Sequence, residues 1–183
     1  MSLSSSEPSV TRTTFPVRPA SLRDAKSIAE VHVAAWQAAV AAGGPVEALQ
    51  SFSVDRCQAY WREAIDLCEP QVLVATENDK VIGFTGFDRS RDKGTPSTTG
   101  ELWALYVSPL QWGRGVGLAL WDAARDGLQE EGCTKVSIWL PMRFARTMRF
   151  VELAGFKREP ASAKTVEIGG ARVEEIRLHR SVS

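Results

Sequence analysis

A mixed α/β layer fold is predicted for this 183-residue chain. Three observations predict it. Short alternating or branched apolar runs are interleaved with segments of helical spacing, in the order strand, helices, three strands, helix, strand, helix, strand, strand. The stretch from Gly100 to Glu131 passes directly from a strand through a glycine-rich turn into a helix. A 44% hydrophobic content with 24% charged residues suits one globular core at this length.

Residues 1–14 are polar and predicted to be disordered, which leaves 15–183 as one domain. Phe15-Pro16-Val17-Arg18-Pro19 reads as a short edge strand. From Leu22, behind the N-cap candidate Ser21 and its box partner Asp24, the positions Ala25, Ile28, Ala29, His32, Val33 and Trp36 follow helical spacing. Gly43-Gly44-Pro45 ends that helix. A short helical piece covers Val46 to Phe52, and a further helix capped by Ser53 runs from Val54 to about Cys68. Gln71 to Thr76 and Val81 to Asp88 form an antiparallel hairpin around Asn78-Asp79-Lys80. Arg89 to Thr99 is a polar loop. Glu101 to Val107 is a strand stopped by Ser108-Pro109. The helix after the glycine turn carries Leu118, Leu120, Trp121, Ala124 and Leu128 and ends at Gly132. Lys135 to Leu140 is a strand, Phe144 to Leu153 a helix ended by Gly155, and Phe156 to Arg158 a strand. Thr165 to Ile168 and Val173 to His179 make a last hairpin around Gly169-Gly170.

Charge and composition narrow the function classes. Lys plus Arg and Asp plus Glu both number 22, so there is no general electrostatic case for nucleic acid or an anionic membrane surface. No apolar run approaches the roughly 20 residues of a membrane helix. Cys57, Cys68 and Cys133 lack C-x-x-C spacing, which predicts reduced thiols and a cytoplasmic chain. With two histidines and no thiol pair, no metal site is expected.

The turn Gln111-Trp112-Gly113-Arg114-Gly115-Val116-Gly117 has the chemistry of an anion cradle. N–H groups of a first helical turn lack intrahelical acceptors, the helix dipole favours negative charge there, and glycine lets a phosphate approach the backbone. The dinucleotide fingerprint would need glycine where Leu118 stands, and the Gly-Lys-Ser/Thr ending of a P-loop is missing.

These residues resemble the acyl-CoA loop of the GNAT superfamily of N-acetyltransferases. That loop carries Gln/Arg-x-x-Gly-x-Gly/Ala after a strand ending hydrophobic-Val-x-Pro. Val107-Ser108-Pro109 and Gly115-Val116-Gly117 match it, while its Gln/Arg position falls on Trp112, with Gln111 one residue early. Arg18-Pro19-Ala20 followed by Asp24-Ala25 is similar to the family's opening. Arg143 to Phe156 is similar to its late helix, Asn-x-x-Ala-x-x-Phe-Tyr-x-x-x-Gly-Phe. The resemblance covers nearly all of the chain. It implies a mixed, mostly antiparallel central sheet with a splay between two parallel strands and helices on both faces.

The resemblance further implies transfer of an acetyl group from acetyl-CoA to a primary amine of a small molecule or peptide, by direct attack in a ternary complex, and a homodimer as assembly. The pantetheine arm would enter between Leu102–Val107 and Lys135–Leu140, against Leu105, Tyr106 and Val107. The pyrophosphate would rest on Trp112, Gly113, Arg114, Gly115, Val116, Gly117 and Leu118, with Phe144 and Arg146 contributing from the late helix. A protonated amine needs a base. Glu101 is the first candidate, since alternation places it on the face of Trp103, Leu105 and Val107. Asp88 is second and His32 third. His32, Trp36 and Trp103 are expected in an acceptor pocket, and small amines, peptide N-termini and aminoglycosides all stay open as acceptors. The family's acidic tyrosine falls on Val151, which cannot donate a proton. A catalytically weak acyl-CoA-binding or regulatory module is therefore the alternative.

Overall fold

The computed structural model describes residues 14–183. The segment expected to be disordered, 1–14, therefore lies outside the described residues except for Thr14, which is exposed. In chain order the strands are β1 (Val17–Pro19), β2 (Gln71–Glu77), β3 (Lys80–Arg89), β4 (Thr99–Val107), β5 (Lys135–Pro141), β6 (Lys157–Ile168) and β7 (Ala171–Ser181). The helices are α1 (Ala25–Ala41), α2 (Val54–Leu67), α3 (Val116–Glu130) and α4 (Ala145–Leu153). The strands form one sheet in the order β1-β2-β3-β4-β5-β7-β6.

Local chemistry explains most boundaries. Asp24 takes the Ser21 N–H at 2.8 Å and pairs with the Arg18 guanidinium, so the first turn, Leu22–Asp24, winds tightly as a 3-10 turn before α1 begins. The Ser53 hydroxyl accepts the Arg56 N–H at 3.2 Å and opens α2. Asn78 and Asp79 have φ of 50° and 60°, the two positive angles a two-residue primed hairpin turn requires between β2 and β3.

Two faces result. On the front, α1 and α2 cover β2, β3 and β4 with Ile28, Ala29, Trp61, Val74, Phe84 and Ala104. On the back, Trp121, Ala124 and Leu128 of α3 and Met148 and Val151 of α4 pack against Leu102, Val136, Ile138, Leu140, Ile176 and Leu178. Every adjacent strand pair is antiparallel except β4 and β5, which pair in parallel only from Thr99↔Lys135 to Leu102↔Ile138. Beyond Leu102 the two strands part, which is the expected splay.

The sheet departs from expectation in two places. The separate strands expected at Phe156–Arg158 and Thr165–Ile168 are one strand, β6, whose pairing to β7 skips from Glu159 to Lys164. The skipped residues Pro160-Ala161-Ser162-Ala163, small and led by a proline, carry no strand pattern and conceal the continuity in the sequence. On β4, Gly86 pairs with Ala104 while Phe87 pairs with Leu102, so Trp103 is an extra, bulged residue. Gly100 and Leu102 pack on the back, whereas Ala104 and Tyr106 pack on the front and Leu105 on the back. Simple alternation placed Glu101 with Trp103, Leu105 and Val107. The bulge reverses the parity, and Glu101 shares the front with Ala104 and Tyr106.

Candidate active site

The glycine turn ends on bare backbone. Gly113 and Gly115 have φ of 78° and 89°, and a Cβ built on either would meet nothing within 4 Å. The first intrahelical bond of α3 is Ala119 N–H to Gly115 C=O. The amides of Val116, Gly117 and Leu118 thus precede any helical acceptor, and no acidic side chain lies in that first turn. This open nest, which a side chain would fill, fits a phosphate. Trp112 does not face it as a hydrogen-bonding stand-in: its indole N–H donates to Val107 C=O at 3.0 Å, and Arg146 lies over its ring at 4.4 Å. Arg114 is bound to Glu77 at 2.7 Å and to Gln111, so its charge is already shared.

Between β4 and β5 the splay forms a slot of about 40 Å³ lined by Leu102, Trp103, Ala104, Leu105, Tyr106, Trp139, Pro141 and Phe144, among others. An arm entering so narrow a slot must displace side chains. Phe144 lines it while also packing edge-on against Trp36. Below it, under the 90–98 loop, a polar cleft of about 310 Å³ is walled by Asp92, Thr99, Lys135, Ser137, Glu159 and Arg177.

Glu101 is 1% exposed and both its oxygens are taken by one residue. Arg91 Nη2 lies 2.6 Å from Oε1, and the Arg91 N–H donates to Oε2 at 2.9 Å. The guanidinium also stacks over Trp103 at 4.1 Å, so Glu101 anchors the loop across the slot. To take a proton it would have to release Arg91. Asp88 sits opposite Glu101 on β3 and accepts the Arg89 N–H at 2.8 Å.

The acceptor-pocket candidates His32 and Trp36 belong to an aromatic stack behind the slot rather than to an open wall. His32 stacks on Tyr106 at 4.6 Å, and Trp36 on Phe52 at 4.2 Å. Trp36 N–H donates to the Tyr106 hydroxyl at 3.1 Å, and burial pushes that phenol up to about 12. Tyr106 therefore keeps its proton at neutral pH. His32 Nδ1 accepts the Trp61 indole N–H at 3.0 Å, so it cannot serve as a base without losing that bond.

Burial lowers His32 from 6.5 to about 4. The unfolded chain then binds a proton between pH 6.5 and 4 that the folded chain refuses. Stability is full above 6.5 and falls with acidification by about 1.4 kcal/mol per pH unit, some 3 kcal/mol in total. Equilibrium denaturation at pH 7 and pH 5 is expected to show that slope, and His32→Leu to flatten it; an equal slope in both proteins would refute the assignment.

The sequence reading missed Arg91, Asp92 and the front of the last two strands. Trp139 N–H lies 3.1 Å from both Asp92 oxygens, Arg177 joins Asp92 at 3.0 Å and binds Glu159, and Lys164 Nζ stacks over Trp139 at 3.9 Å. Alternation along β7 could have found Glu175 and Arg177, because Val173 packs forward while Ile176 and Leu178 pack backward. Val151, at the place of the family's tyrosine, is 1% exposed in the back core.

Among the described residues no helix is long and apolar enough to cross a membrane, and no group of His, Cys, Asp or Glu could hold a metal ion. The model of the Acetyltransferase (GNAT) family matches residues 44–156. An uncharacterized N-acetyltransferase, YuaI, of Bacillus subtilis (strain 168) is 26% identical over 164 residues, spanning 88% of this chain and 90% of that protein. The crystal structure of a GCN5-related N-acetyltransferase from Rhodopseudomonas palustris superposes with a TM-score of 0.74 at 22% identity, covering 94% of this chain and 98% of that one. The yncA protein of Salmonella typhimurium, a putative acetyltransferase solved with its cofactor acetyl-CoA, gives a TM-score of 0.69 at 22% identity over 93% and 95% of the two chains. With the splayed β4–β5 pair, the open nest at α3 and a family match over more than half of its length, this chain belongs to the Acetyltransferase (GNAT) family.

Proposed function

We propose that one domain spanning 15–183 transfers an acetyl group from acetyl-CoA to a primary amine of a small molecule or peptide, by direct attack in a ternary complex. The observation that carries this reading is that β4, the strand that splays from β5 to open the slot, runs at its end into the glycine nest of α3. The nest binds a phosphate through bare amides, and the slot lies between strands whose pairing to each other stops at Leu102. Acetyl-CoA supplies a thioester carbonyl there. The amides of Val116, Gly117 and Leu118 hold the pyrophosphate, and the splayed edge of β4 holds the arm. Arg91, anchored by Glu101, keeps the loop over the slot and helps to exclude water. Three free thiols, two of them buried, suit a reducing cytoplasm.

A second reading is favoured by Val151, which is fixed in the core where the family's proton donor falls. It is a weak or regulatory acyl-CoA-binding module. Two measurements separate the readings. Thermal unfolding with acetyl-CoA, with ATP and NAD as controls, tests the site, and release of CoA thiol over a panel of primary amines tests turnover. Stabilisation with turnover supports the enzyme. Stabilisation without turnover supports the binding module, and no stabilisation in folded protein defeats both.

A further inference from the structure

We propose that Glu175 is the carboxylate that receives the acceptor's ammonium group and takes its proton, an inference that rests on the acetyl-transfer reading above. Glu175 pairs in register with Pro141, which lines the splay slot, and with Lys164 of β6. It lies on the front of β7 between Val173, packed beside Trp36 and Phe144, and Arg177, bound to Asp92. The Glu175 carboxylate, only partly exposed, makes no hydrogen bond or ion pair among the described residues, unlike Glu101 and Glu159. Burial raises its pKa, while Lys164 from β6 and Arg91 from the 90–98 loop oppose that shift. Its charge in turn acts on the Tyr106 phenol of β4. The neighbouring cations are committed elsewhere: Arg91 to Glu101 and Lys164 to the Trp139 ring. A half-buried acid with no hydrogen bond or ion pair of its own, in register with a residue of the slot wall, is suited to meet a cation arriving from solution.

The proton bookkeeping closes. R–NH3⁺ gives one proton to the Glu175 carboxylate, and the freed lone pair bonds to the thioester carbonyl carbon. The C–S bond breaks with its electron pair going to sulfur. A second proton leaves the nitrogen and ends on the thiolate, and Glu175 returns the first to water. The net change is R–NH3⁺ plus thioester giving amide, thiol and one H⁺.

The test is carbon-13 NMR of the full chain labelled at glutamate, with CoA bound and the Glu175 carboxyl assigned through Glu175→Gln. The expected result is a midpoint above the usual carboxylate range that moves down when ethylammonium is added, but not when tetramethylammonium is added. A midpoint in the ordinary range, or one indifferent to ethylammonium, would overturn the proposal. With any amine that the wild type acetylates, Glu175→Gln is expected to lose about 100-fold or more in kcat/KM. It should also lose the acidic limb of the pH profile, while Glu101→Gln retains that limb. Stabilisation by acetyl-CoA is read in parallel. Its absence in the wild type defeats the acetyl-transfer reading, whereas its presence beside an unresponsive Glu175 defeats this proposal alone.

Discussion

Gly115→Glu is expected to abolish the rise in unfolding temperature that the acetyl-transfer reading predicts for the wild type with acetyl-CoA. At 100 times its dissociation constant, a ligand adds about 2.7 kcal/mol. For a chain of this size that amounts to about 5–11 °C. Gly115 stands at φ 89° where a Cβ meets only open space, the space a pyrophosphate would occupy. A glutamate there would put its own carboxylate into the nest. The left-handed angle costs a non-glycine residue about 1–2 kcal/mol. An acid at a helix start returns about 0.3–1 kcal/mol, so the variant should still fold. Gly115→Ala carries the same strain without the charge and separates the two effects. A Gly115→Glu protein with an undiminished acetyl-CoA response would rule out phosphate binding at this turn.

Trp121→Ala is expected to cost about 3–5 kcal/mol, the usual range for removing a fully buried indole. Trp121 is 1% exposed. It meets Phe156 edge-on at 4.9 Å, lies under the Arg180 guanidinium at 5.6 Å, and joins α3 to the cluster shared by β5, α4 and β7. Small domains hold only about 5–15 kcal/mol in total, so this is a large fraction. Calorimetry should show the unfolding midpoint lower by about 6–20 °C. A fall of less than about 2 °C would mean that α3 is not fastened to the sheet through this side chain.

What the sequence made legible was whatever depends on near neighbours. The nest was readable because Gly113, Gly115 and the start of α3 lie within a few residues of one another, and a left-handed turn has few ways to be encoded. Ser53, Asn78 and Asp79 marked their boundaries for the same reason. The splay was expected only through the resemblance. What stayed hidden depends on partners far along the chain. Nothing near Glu101 announces that Arg91 will close on it, since the bond needs the 90–98 loop to fold back over β4. Nothing near Trp103 announces a bulge, because a bulge is a relation between two strands. The continuity of β6 was lost to Pro160 and the small residues of its own irregularity. Glu175 is the instructive omission: Val173, Ile176 and Leu178 fix the parity of β7, and the acid could have been placed from them.

The extra residue at Trp103 gives β4 two addresses. Upstream of it, odd numbers look toward α1 and α2; downstream, even numbers do. Deleting that one position would make Leu102 and Ala104 neighbours, as their partners Phe87 and Gly86 already are, and would leave a regular ladder with every other side chain on its present face. A related chain with an unbroken ladder here should therefore be one residue shorter between Glu101 and Ala104, and a sequence aligned across this point without a gap should be read in two halves.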